Sequence, residues 1–102
     1  MIKVKIPKKV QVGGHTYKVK VGGKVNVELR ASNWRGSHSA IEREIEIADD
    51  YPEQDISSTF IHECLHSVNV IYCNGELGEG QVEGIGNGIH QILEGIGIRF
   101  VV

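Results

Sequence analysis

His62-Glu63-Cys64-Leu65-His66 is the segment of this chain whose residue types and spacing could do chemistry. On a helix, residues four apart lie one above the other on the same face. Two imidazoles placed that way can hold one metal ion from one side, and zinc is the ion that suits such ligands best. Glu63, next to the first histidine, can reach a water held by the metal and take its proton. The spacing thus offers a metal clamp with His62 and His66 as ligands and Glu63 as general base. A hydrolytic zinc site also needs a third protein ligand. Glu83 fits best, because the pattern places it on a second helix that a tight turn over 74–80 folds back onto the first. Glu76 and Glu79 remain alternatives, read as part of the connection between the helices. A glycine seven residues after His62 and a histidine ten after it would mark a metzincin. Asn69 and Tyr72 stand there instead.

The motif needs a helix, and its surroundings supply one. Ile56, Phe60, Ile61, Cys64, Leu65, Val68 and Ile71 recur at spacings of three and four. Asp50 and Glu53 have the spacing of a capping box, with Pro52 in the first turn. Asn74-Gly75 accepts the left-handed conformation that ends a helix. The second helix is predicted along Val82, Ile85, Ile89, Ile92 and Ile96, its expected apolar face. Gly84 and Gly88 on one side would permit close approach to a neighbour. Residues 96–102 alternate again and predict a terminal strand.

The first half reads as strands. Ile2, Val4 and Ile6 alternate with lysines. Gly13-Gly14 and Gly22-Gly23 punctuate further period-two runs, up to Val25, Val27 and Leu29. The pattern predicts an antiparallel meander, a loop over 30–39 carrying Trp34, and one more strand over 41–47. Arg43 falls on the apolar side of that strand, which marks it as an edge facing a cleft and a place for an extended substrate to pair. The whole is a single α+β domain over 1–102, mainly strands in 1–48 and mainly helical in 50–102.

At this point the chain resembles the small zinc metallopeptidases of phages and mobile elements, related to the ImmA/IrrE-type zincin-like group. The resemblance runs through 6–19, Asn33-Trp34, Ile45-Glu46-Ile47, Pro52-Glu53-Gln54, 59–66 and 82–93. It implies a minimal zincin-like fold: a small antiparallel sheet over the motif helix and a following helix. By the same resemblance His62, His66 and Glu83 would hold Zn2+ and Glu63 would be the base. A metal-activated water of that kind would attack a peptide carbonyl, which makes a protein or peptide the expected substrate. Gly84 and Gly86 depart from the family's better helix formers. An oxyanion-stabilising group is also required, and Tyr72, His38, His90 and Arg43 qualify by type. The alternative is a zinc-holding protein that binds a partner without cleaving it.

Composition narrows the remaining classes. The chain has 102 residues and a net charge of −2. Residues 1–27 hold seven lysines and no acid, whereas 28–102 hold four arginines against thirteen acids. The lysines alternate with hydrophobes, as on the wet side of a sheet, so nucleic acid is not an expected partner. No apolar run is long enough for a membrane span. Cys64 and Cys73 sit too far apart along one helix to bridge, which fits a reducing compartment. With no signal-like leader in the first residues, the cytoplasm is the expected location.

Overall fold

The computed structural model describes all of residues 1–102 and has the expected α+β class. Strands β2 (Lys9–Val12) and β3 (His15–Val21) form the hairpin that Gly13-Gly14 announces. Gly13 has φ +60°, and a Cβ there would come 2.7 Å from Ile71 Cγ2, so the turn demands glycine twice over.

The second glycine pair does not continue the meander. Gly22 and Gly23, both at positive φ, turn the chain into helix α1 (Lys24–Ala31), where a strand through Val25, Val27 and Leu29 is predicted. Val25 and Leu29, four apart, are buried with Ala48, while Val27 between them is 68% exposed. Period two and period four both fit Val25 and Leu29. Only the helix gives both a surface to pack on. Asn26 ties the helix to Asp49, donating to its carboxylate at 2.6 Å and accepting its backbone N–H at 3.0 Å.

The next strands, β4 (Gly36–Ser39) and β5 (Glu44–Ile47), complete a sheet of order β2-β3-β5-β4. β3 and β5 run parallel, contrary to the predicted antiparallel meander, because α1 supplies the crossover that parallel pairing requires. The strand predicted over 41–47 starts only at Glu44: Arg43 has φ +54°, incompatible with extended backbone, and Ile41 is exposed. Residues 36–39, predicted as loop, pair antiparallel with β5 as the sheet's edge. Gly-Ser-His-Ser has no hydrophobic alternation to reveal a strand.

Tyr17, Val19, Ile45 and Ile47 form the sheet's buried face, with Ile6 and Val12. Against it packs α2 (Glu53–Tyr72), through Ile56 and Phe60 with Cys64, Val68 and Ile71 alongside. The predicted helix is there, but its capping box is not. Pro52 takes the cap position without a side-chain bond, Asp50 pairs with Arg30, and Glu53 faces Lys3 and Arg99. Asn74 and Gly75, both at positive φ, follow its end as predicted.

Helix α3 (Glu79–Gly95) folds back on α2. It begins three residues before Val82, and its buried residues are Val82 and Gly86. The predicted isoleucine face is largely exposed, with Ile92 and Ile96 at 65% and 66%. A Cβ on Gly86 would lie 3.4 Å from Leu65 Cδ1 and 3.8 Å from His62 Cα, so Gly86 makes the close approach expected of Gly84 and Gly88, which face open space. No helix is long and apolar enough to cross a membrane.

Strands β1 (Ile2–Lys5) and β6 (Ile98–Val101) form a separate parallel pair. β1 buries no residue, so its attachment leans on β6 and on charge. Arg99 grips Glu94 with Nη2 at 2.8 Å and Nε at 3.0 Å and reaches Glu53 at 3.2 Å, and Lys3 reaches Glu53 at 3.0 Å. The Lys3 hydrogen bond, then Arg99, hold the Glu53 carboxyl below its usual range, and Arg99 does the same for Glu94. A lowered carboxylate pKa stabilises the fold above the unfolded-state pKa and is lost as pH falls through the folded-state values. Acidification below about pH 4 should therefore release β1 before the α2 core. Backbone NMR shifts of 2–5 followed against pH would test this, with Arg99→Ala expected to show the released shifts already at neutral pH.

Candidate metal centre

Four side chains of the predicted site meet in one cleft of about 720 Å³. α2 provides the floor with His62, Glu63 and His66. α3 provides one wall with Glu79 and Glu83, and the segment 33–38 provides the other. Helical spacing brings the two ring nitrogens together, His62 Nε2 and His66 Nε2 being 3.1 Å apart. Glu79 closes the group, with Oε1 3.0 Å from His62 Nε2 and Oε2 3.3 Å from His66 Nε2. One ligand atom from each of these three residues lies within 4.8 Å of the others, close enough to share a metal ion.

Glu79, rather than the predicted Glu83, is thus the carboxylate at the imidazoles. Glu83 lines the same cleft one turn further along α3. The physical reason is the earlier start of α3. Glu79 belongs to its first turn, where a carboxylate is also favoured by the helix dipole. The burial of Val82 and Gly86 against α2 sets the rotation that brings residues 79 and 83 to the cleft side. A sequence signal for the early start exists: Gln81, three residues after Gly78, accepts the Gly78 N–H at 2.9 Å.

The turn between the helices is held by Asn69. Its amide donates to Leu77 O at 3.0 Å and accepts the Leu77 N–H at 3.1 Å, while its own carbonyl accepts from Cys73 and Gly75. This buried clamp fixes the backbone two residues before Glu79. Asn69→Asp keeps the acceptor but turns an oxygen toward Leu77 O. We expect a loss of about 1–3 kcal/mol of stability and a smaller gap between the melting curves taken with chelator and with zinc.

Glu63 is 7% exposed, and burial, with the Glu79 carboxylate adding repulsion, pushes its carboxyl up to about 7. Burial also lowers His66, and it lowers His38 with His66 adding to the effect, which favours the neutral imidazoles that ligate metal. The edge strand lies directly on the base: a Cβ on Gly36 would come 3.0 Å from Glu63 Cγ and 2.6 Å from Thr59 Cγ2. Glycine is what lets β4 approach Glu63 so closely.

Of the four oxyanion candidates, His38 alone lines the cleft. Its ring is stacked between Tyr17, at 5.5 Å, and His66, at 5.9 Å, and its Nε2 is buried without a partner. Arg43 contacts His15, Tyr72 projects toward Gly13, and His90 lies further along α3. The free strand edge at the cleft is β4, whereas β5 is enclosed between β3 and β4. Among known proteins, no family, curated protein or solved structure matches the chain.

Proposed function

We propose that this protein is a zinc-dependent peptidase. The observation that carries the reading is the convergence of His62, His66 and Glu79 at the mouth of a cleft that also buries Glu63 beside them. Two imidazoles and a carboxylate are a donor set that hydrolytic zinc uses, and three protein donors leave room for a further ligand. When bound, zinc supplies Lewis-acid polarisation and a water of lowered pKa. Glu63 accepts the proton of the attacking water and passes it to the leaving amine. A carboxyl raised by burial suits both halves of that task near neutral pH. His38 is the cleft group that would hydrogen-bond the developing oxyanion. An extended peptide would pair along the open edge of β4. The resemblance to ImmA/IrrE-type zincins supports the same reading, with Glu79 in the place assigned to Glu83.

The test is direct. Purified protein should carry about one zinc per chain and should cleave an unfolded protein such as casein. A chelator should stop the cleavage and added zinc should restore it. Zinc-loaded protein that cleaves no substrate across a broad peptide mixture would favour partner binding without turnover.

A further inference from the structure

We infer that Trp34 is a substrate side-chain platform, and that the peptidase proposed above selects an apolar, above all aromatic, residue beside the scissile bond. The inference rests on that peptidase reading. Trp34 is the one hydrophobic side chain lining a cleft otherwise formed by polar residues and glycine, and it is 58% exposed there. Other hydrophobic side chains are as exposed, Ile41 and Ile96 among them, but none of those lines this cleft, so the indole is the apolar surface the cleft offers a ligand.

The residue is exposed but its backbone is not loose. Asn33 takes φ +57° directly after the α1 cap residue Ser32. The Trp34 N–H donates to Leu29 O at 2.8 Å and the Asn33 N–H donates to Arg30 O at 3.0 Å. These two bonds are the Schellman arrangement, with Trp34 as its final residue. Leu29 is buried in the small core of Val25 and Ala48, so the cap is anchored. On the other side Arg35 O accepts the Ala48 N–H at 2.9 Å, and the Arg35 guanidinium lies 5.0 Å over the Tyr51 ring. Helix α1 therefore fixes the backbone from which the indole projects at the cleft wall, two residues before the β4 edge begins at Gly36. A peptide extended along that edge brings a side chain to the indole. An aromatic or branched aliphatic group would be desolvated against it, and a glycine or aspartate would gain nothing.

Zinc-chelating amino-acid hydroxamates separate this idea from the zinc reading, because their head groups are identical and only the side chain differs. We would titrate zinc-loaded protein with phenylalanine and glycine hydroxamates by calorimetry. Emission of Trp34, the chain's single tryptophan, provides a second readout. The phenylalanine compound should bind the wild type about tenfold more tightly or better and shift the emission. In Trp34→Ala that preference should fall to about twofold or less, with zinc content unchanged, and Trp34→Phe should keep most of it. Equal binding of the two compounds by zinc-loaded wild type, or an undiminished preference in Trp34→Ala, overturns the platform and leaves the zinc reading standing. Protein that takes up no zinc overturns both.

Discussion

Glu63→Gln should lower peptide hydrolysis by about 10²–10⁴-fold while zinc content stays at the wild-type level. Glutamine has the shape of glutamate but cannot take a proton, and Glu63 is not among the three clustered ligands. The substitution therefore separates proton transfer from metal binding. It should also stabilise the metal-free protein at neutral pH. The folded-state pKa of Glu63 is raised, to about 7, so between the ordinary carboxylate range and that value the folded chain binds more protons than the unfolded one. Stability then declines as pH rises through this window, as the fold comes to carry a buried charge. Glutamine removes that decline. Parallel melts of wild type and variant in chelator between pH 5 and 8 would check it. Full peptidase activity in a zinc-loaded Glu63→Gln protein would sink the mechanism.

The second large effect concerns the third ligand. Glu79→Ala should weaken zinc binding by more than the roughly 10–100-fold that loss of an outer-shell partner costs, because it removes a donor itself. Glu83→Ala should leave affinity near the wild-type value. Competition with a chromogenic chelator measures both. Glu79 is exposed, and its side chain pairs with the two imidazoles, so its loss should not unfold the chain. It should also make Glu63 easier to ionise by removing the neighbouring carboxylate. The reverse pattern, zinc lost in Glu83→Ala and kept in Glu79→Ala, would return the ligand to the position predicted from the sequence. That outcome would mean that Glu83, one turn further along the same cleft-facing side of α3, reaches the ion once it is bound.

Much of the chain was legible where one local period decided the outcome. The apolar spacing of 56–71 specifies a helix, and His62 and His66 at i and i+4 must then share a face. The Gly13-Gly14 hairpin, the end of α2 at Asn74-Gly75 and the final strand are equally local, being written in turn residues and alternation. Tertiary structure decided the features that depend on how much room two distant segments leave each other. Val25 and Leu29 satisfy either period until Ala48 offers them a helix-shaped seat. The glycines at 84, 86 and 88 look alike in sequence, but only Gly86 lies against α2, near Leu65 and His62, while the other two face open space. Gly36 reads as an ordinary loop glycine until Glu63 lies beneath it. Donor types and their spacing along a helix follow from 3.6 residues per turn, so sequence alone placed His62, Glu63 and His66 together. Which carboxylate faces them depends on the packing of side-chain volumes between α2 and α3, and no period along a single segment encodes that.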